Sequence, residues 1–113
     1  LTPDTVGVLN RETLSQLLPG AHLVNVGRGE HLVEDDLVQM LEEGEIAGAT
    51  LDVFHTEPLP RDHPFWHDAR VHVTPHIAAR TLRDESIAQI AGKVAQLLRG
   101  EAISGVVERS RGY

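Results

Sequence analysis

The chain of 113 residues contains no cysteine, one tryptophan, one tyrosine, one methionine and two phenylalanines. Without cysteine there is no disulfide framework, no thiolate nucleophile and no zinc–thiolate centre. Positive charge is also scarce: 10 Lys and Arg against 17 Asp and Glu leave a formal net charge of −7. That balance argues against nucleic acid as a partner, because phosphate recognition needs a basic face. No apolar run approaches the ~20 residues of a membrane span, and no secretory leader pattern is present. The expectation is a soluble, cytoplasmic protein with no membrane partner. No internal repeat or low-complexity tract is found. One more absence is specific. A nucleotide-binding sheet normally carries a Gly-x-Gly-x-x-Gly turn as its pyrophosphate cradle. Here Gly27-Arg28-Gly29 comes nearest, but Glu30-His31-Leu32 follows it and the third glycine is missing.

What is present is enough for one domain, with 41% hydrophobic residues to build a core. Apolar periodicity predicts strands over 21–26, 47–53 and 71–74. Between them lie helical patterns. Asn10 is a candidate N-cap for a helix over 11–18, with Leu14, Leu17 and Leu18 on one face. Glu34 or Asp35 opens a second helix carrying Leu37, Val38, Met40 and Leu41, closed by Gly44. Pro64-Phe65-Trp66 reads as one helical turn over a core edge, with Trp66 as core or edge packing or, as the lesser alternative, as lining of a substrate cleft. Asp84 or Glu85 begins a long helix over 86–99, stopped by Gly100, and 103–107 reads as a short extended tail. Strand and helix alternate with connections long enough for parallel crossovers, so the fold class is α/β. The acidic stretches Glu34-Asp35-Asp36 and Glu42-Glu43-Gly44-Glu45 read as solvated helix surface.

Each predicted strand ends in chemistry. The first runs into Gly27-Arg28-Gly29, the second into Asp52 and then Glu57-Pro58, the third into Thr74-Pro75-His76. Ligands of open parallel sheets bind outside the carboxyl ends of the strands. Arg28, Glu57 and His76 therefore form a candidate site, with the two glycines letting backbone approach a ligand. Arg offers a charged planar fork for a carboxylate, and His beside a carboxylate is a proton donor and acceptor near neutral pH. A small acid with an adjacent carbonyl or hydroxyl would use all three, and the hydride such a reaction needs implies a nicotinamide cofactor. Each residue also has an ordinary alternative: a surface Arg, a loop Glu before Pro, a strand-end His. The pairs His63 and His67, and His72 and His76, stand four apart, which suits metal ligands only on a helix, so no metal is expected.

Asn25-Val26-Gly27-Arg28-Gly29, Leu51-Asp52-Val53-Phe54 with Glu57-Pro58-Leu59-Pro60, and Thr74-Pro75-His76-Ile77-Ala78 resemble the motifs of the D-isomer-specific 2-hydroxyacid dehydrogenases. The opening Leu1-Thr2-Pro3-Asp4-Thr5, with Gly7 and Asn10, is similar to the loop ahead of the first motif. The acidic pair after Val33 and the ending Val107-Glu108-Arg109-Ser110-Arg111-Gly112-Tyr113 look most like the glyoxylate/hydroxypyruvate reductase branch. The resemblance implies catalytic roles for Arg28, Glu57 and His76, with Arg28 and His76 on the substrate, a small 2-oxo or 2-hydroxy acid. It implies that Val26, Gly27, Asp52, Ile77 and Ala78 contact NAD or NADP, with Asp52 on the nicotinamide carboxamide. It further implies the second half of a Rossmann-like doubly wound sheet over 1–80, and a closing helix and tail over 81–113 returning to a substrate domain outside this sequence. Taken alone, such a segment is expected to be inactive and to pair as a homodimer. A dinucleotide-sensing, corepressor-like binding protein of the same fold is the alternative.

Overall fold

Alternation shapes the first strand, β1 (Ala21–Asn25): Leu23 and Asn25 are buried while His22 and Val24 are exposed. A computed structural model describes residues 1–111 and places β1 beside β2 (Ile46–Leu51), which in turn pairs with β3 (Val71–Val73). Both pairings are parallel, with Leu23 opposite Ala49 and Leu51 opposite Val73. This is the expected α/β, parallel architecture. Gly112 and Tyr113, the end of the terminal resemblance, lie outside the described residues.

Helix α2 (Glu34–Glu42) carries the chain from β1 to β2. Its three acidic residues occupy the first turn, where the helix dipole favours them. Leu37, Met40 and Leu41, at i, i+3 and i+4, are buried. They pack with Leu23, Ile46, Ala49, Leu51, Phe54, Phe65 and Val71 in one core. Gly44 ends the helix at φ +76°, a conformation that favours glycine. The Gly44 amide donates to Leu41 O at 3.1 Å and the Glu45 amide to Met40 O at 2.9 Å, closing the last turn as a Schellman motif.

Several elements depart from the periodicity. Helix α1 covers only Arg11–Leu14, capped as expected by Asn10, whose side chain accepts the Thr13 amide. Only Leu14 is buried; Leu17 and Leu18 are exposed, because Pro19 disfavours helical backbone at the preceding residue and the chain turns out early. The strands stop one or two residues short, at Asn25, Leu51 and Val73. Pro64–Trp66 is a 3₁₀ turn in which Phe65, not Trp66, is buried. Trp66 is 50% exposed and donates its indole N–H to Pro60 O at 2.8 Å.

The chain divides into two compact units, Leu1–Ala79 and the part from Arg80 onward. In the second, α3 spans Arg83–Leu98, one turn earlier than the acidic pair suggested, because Asp84 and Glu85 sit inside the first turn and Leu82 takes the cap position. The extended tail expected at 103–107 is not regular: Ser104 bends, Gly105 has φ +73°, and Lys93 Nζ donates to Ser104 O at 2.9 Å. Among the described residues no helix is long and apolar enough to cross a membrane.

Candidate active site

The three strand ends open on one side of the parallel sheet, and the segments that follow them build the site. After β3, Thr74-Pro75 lead into His76, which adopts φ +54°. A non-glycine residue in this region is uncommon and persists only where its surroundings impose it. Asp52 imposes it. The Asp52 carboxylate, 2% exposed, accepts the Thr74 hydroxyl at 2.5 Å and the Ile77 amide at 2.9 Å on Oδ1, and the Ala78 amide at 2.9 Å on Oδ2. His76 is thus bracketed on both sides by bonds to one buried anion. Burial, the largest influence, raises the Asp52 pKa; the Thr74 hydroxyl, the two amides and nearby His76 together outweigh it and hold Asp52 below its ordinary value.

His76 Nδ1 meets Glu57 Oε2 at 2.8 Å. A carboxylate oxygen only accepts, so Nδ1 carries the proton and Nε2 is the nitrogen left for chemistry. The other Glu57 oxygen accepts the Phe54 amide at 3.0 Å, which fixes the carboxylate's orientation. The hydrogen bond to His76 and then the Phe54 amide hold the Glu57 pKa below the usual range against burial, and the charges of His76 and Arg28 add to this. The Glu57–Pro58 peptide is cis. Glu57 and His76 also line a cavity of about 420 Å³ with Asp52, Leu59, Trp66 and Thr74.

Arg28 follows β1, is exposed, and turns its Nη1 back to Gly27 O at 2.7 Å. It does not line that cavity. Its charge nevertheless reaches Glu57. Of the two glycines beside it, Gly29 acts differently from expectation. A Cβ on Gly29 would lie 2.0 Å from the Phe54 carbonyl carbon, so the close backbone approach is to the chain itself rather than to a ligand. Asn25 and Thr74 brace the loops of the site, a part that sequence reasoning did not assign to them. Asn25, 4% exposed, accepts the Gly27 amide on Oδ1 at 3.1 Å and donates Nδ2–H to Arg28 O at 3.1 Å, bracing the turn that presents Arg28. An Asn closing an apolar strand just before Gly-x-Gly was the available signal, since Asx side chains hold such turns.

Val26 and Ile77 stand exposed at 55% and 66% beyond β1 and β3, with Gly27 and Ala78 next to them in sequence. Asp52, read as a nicotinamide contact, spends its carboxylate first on the His76 loop. His72 faces His22 across the sheet with ring centroids 6.4 Å apart, and His63 faces Glu34. Among the described residues no group of three or more His, Asp or Glu converges as a metal site.

A parallel α/β sheet with an oriented carboxylate–histidine pair at its strand ends defines a Rossmann-type unit equipped for proton transfer. The family described as D-isomer specific 2-hydroxyacid dehydrogenase, NAD binding domain, matches residues 1–78. The chain belongs to that family, and the part matched is its NAD-binding domain. It is 54% identical over 112 residues to glyoxylate/hydroxypyruvate reductase A of Serratia proteamaculans, covering 99% of this chain and 36% of that protein. Among solved structures it resembles the D-isomer specific 2-hydroxyacid dehydrogenase of Xanthobacter autotrophicus Py2 in complex with NADPH and MES. The TM-score is 0.93 at 42% identity, over 100% of this chain and 47% of that one. It also resembles the NADPH-dependent glyoxylate/hydroxypyruvate reductase of Sinorhizobium meliloti in complex with NADP and sulfate. There the TM-score is 0.90 at 35% identity, over 100% of this chain and 37% of that one. The chain therefore spans about a third of the curated relative it matches.

Proposed function

We propose that this chain supplies the nicotinamide-side half of an NAD(P)H-dependent 2-hydroxyacid dehydrogenase that reduces glyoxylate or hydroxypyruvate. The observation that carries the reading is the 2.8 Å contact of His76 Nδ1 with Glu57, which leaves Nε2 to deliver a proton. The residues fit a nicotinamide: Val26 and Ile77 hold apolar side chains in the open beyond the strand ends, as a flat ring requires, beside the backbone of Gly27 and Ala78. Asp52 has a second lone pair on each oxygen with which to accept a carboxamide N–H. Bound there, the cofactor would supply hydride to the substrate's carbonyl carbon.

Arg28 swings from the Gly27 carbonyl to take the substrate carboxylate in its fork. Protonated His76 gives its Nε2 proton to the carbonyl oxygen, and Glu57 stabilises the imidazolium and holds the ring. The product is the 2-hydroxy acid. Two copies associate in this proposal, through the apolar stripe of Ile87, Ile90, Val94 and Leu97 on α3, all half-exposed or more. Sedimentation giving the mass of one chain would remove that part. A cytoplasmic location, where nicotinamide pools are drawn on, belongs to the same reading. The test is NADPH oxidation by the complete enzyme with glyoxylate and hydroxypyruvate, beside the His76→Gln variant. No turnover with either acid, or undiminished turnover in the variant, rejects it.

A further inference from the structure

Glu57 must be held against His76, yet no helix or strand runs from Asp52 to His63. The restraint comes from the first turn of α2. Glu34 Oε1 accepts the His55 amide at 3.0 Å, and Glu34 Oε2 faces His63 Nε2 at 3.5 Å. The two side chains are well covered, at 16% and 17% exposure. His63 Nδ1 accepts the Phe65 amide at 3.3 Å, so its proton is on Nε2, directed at Glu34. His55 Nε2 meets Leu32 O at 2.9 Å, where it must donate because a carbonyl only accepts. One carboxylate therefore grips the Glu57 loop on both sides, two residues before Glu57 and six after it. The same stretch, 29–34, touches Phe54 through Gly29.

We propose that Glu34 is a positioning residue for the Glu57–His76 pair: it clasps the irregular loop at His55 and His63 and so sets where the Glu57 carboxylate stands. The proposal rests on the dehydrogenase reading for its catalytic consequence, but the clasp itself does not. The two donors need two acceptor oxygens. A carboxylate has them, whereas an amide has one.

The test has two arms. In this chain, hydrogen exchange and ¹⁵N spectra of the imidazoles read the clasp without any activity. The His55 amide is protected and His63 is held in its Nε2–H form; Glu34→Gln loosens one of the two. An unprotected His55 amide in the unaltered chain overturns the proposal whether or not the enzyme reduces glyoxylate. In the complete enzyme, Glu34→Ala lowers kcat for glyoxylate on the order of tenfold to a hundredfold, the cost of a misplaced group. KM, governed by Arg28, stays within about twofold. In a Glu57→Gln background the same change costs nothing further, because Glu34 acts through Glu57. Glu34→Gln falls between, and Asp35→Ala, at the adjacent exposed position, leaves kcat unaltered. Independent, multiplying losses in the double variant, or full kcat in Glu34→Ala, overturn the proposal. Should Glu34→Ala fail to fold, Glu34→Gln in both backgrounds carries the same comparison. An enzyme inert toward every 2-oxo acid rejects the dehydrogenase reading and leaves the exchange arm to decide the clasp.

Discussion

Replacing Gly29 by alanine isolates a purely steric demand. The Gly29 backbone lies outside the left-handed region, so any residue could adopt it. The added Cβ, however, would stand 2.0 Å from Phe54 C, 2.1 Å from Phe54 O and 2.5 Å from His55 N. Carbon atoms rest at about 3.5–4.0 Å, so the two segments must separate by roughly 1.5 Å. All three obstacles are backbone, and no side chain can rotate away to make room. Overpacking in a filled interior costs about 1–3 kcal/mol and occasionally more; backbone against backbone belongs at the upper end. The separation falls between the turn that carries Arg28 and the loop that carries Glu57. A displacement of about 1 Å in such a constellation can cost on the order of a hundredfold in rate. Urea unfolding of this chain and turnover of the complete enzyme are the two assays. Gly92→Ala is the control: a Cβ there meets nothing within 4 Å, and in the interior of α3 it should raise helix content by removing glycine's penalty of about 1 kcal/mol. If Gly29→Ala lowered the unfolding free energy from urea titration by less than about 0.5 kcal/mol, an ordinary surface effect, the close approach would not be a constraint and the reasoning would fail.

Leu37→Ala should destabilise the first unit by about 2–5 kcal/mol, since Leu37 is wholly buried in the core; the same urea titration reads it. His76→Gln should cost about 10²–10⁴ in reductive rate. Arg28→Lys should damage turnover more than retained charge suggests, because an ammonium cannot make the two-pronged contact. The pKa values of Glu57 and Asp52 are depressed on folding, so their contribution to stability is complete above their ordinary values of 4.5 and 3.8 and fades as pH falls below them. Glu57→Gln should flatten that acid limb in a pH series of thermal melts, and an unchanged limb would contradict the assignment. This chain lacks the glycine-rich turn that supplies the pyrophosphate site. Calorimetry should accordingly find weak or no binding of NADPH and NADH, and micromolar affinity would show that the nicotinamide side holds more of the binding than argued.

The sequence made the strand ends legible because an apolar run followed by Gly-Arg-Gly, Asp or Thr-Pro-His announces where a buried strand meets a loop. It also announced α2, whose acidic start, apolar stripe and terminal glycine agree with one another. It overstated α1, since three leucines at helical spacing outweighed Pro19 in the reading and not in the fold. The contacts that hold the site were hidden for a different reason. Gly29 against Phe54, Glu34 against His55 and His63, and Asp52 against Ile77 and Ala78 all join residues far apart in the chain, several through backbone amides, which carry no sequence identity. Trp66 follows the lesser of its two readings: half-exposed, with its N–H on Pro60 O, it lines the cavity of Glu57 and His76 rather than packing in the core.

The loop from Thr74 to Ala78 resembles the backbone nests in which proteins hold phosphates and other anions. Here the guest is permanent, because the anion is the protein's own Asp52. Such a loop has no vacant state to collapse into and no ligand to wait for. The ordering entropy that a recruited anion would have to offset at each encounter is met once, when the chain folds. His76 is consequently held in place without any ligand, and in the proposed dehydrogenase binding energy would be left free for the chemistry itself.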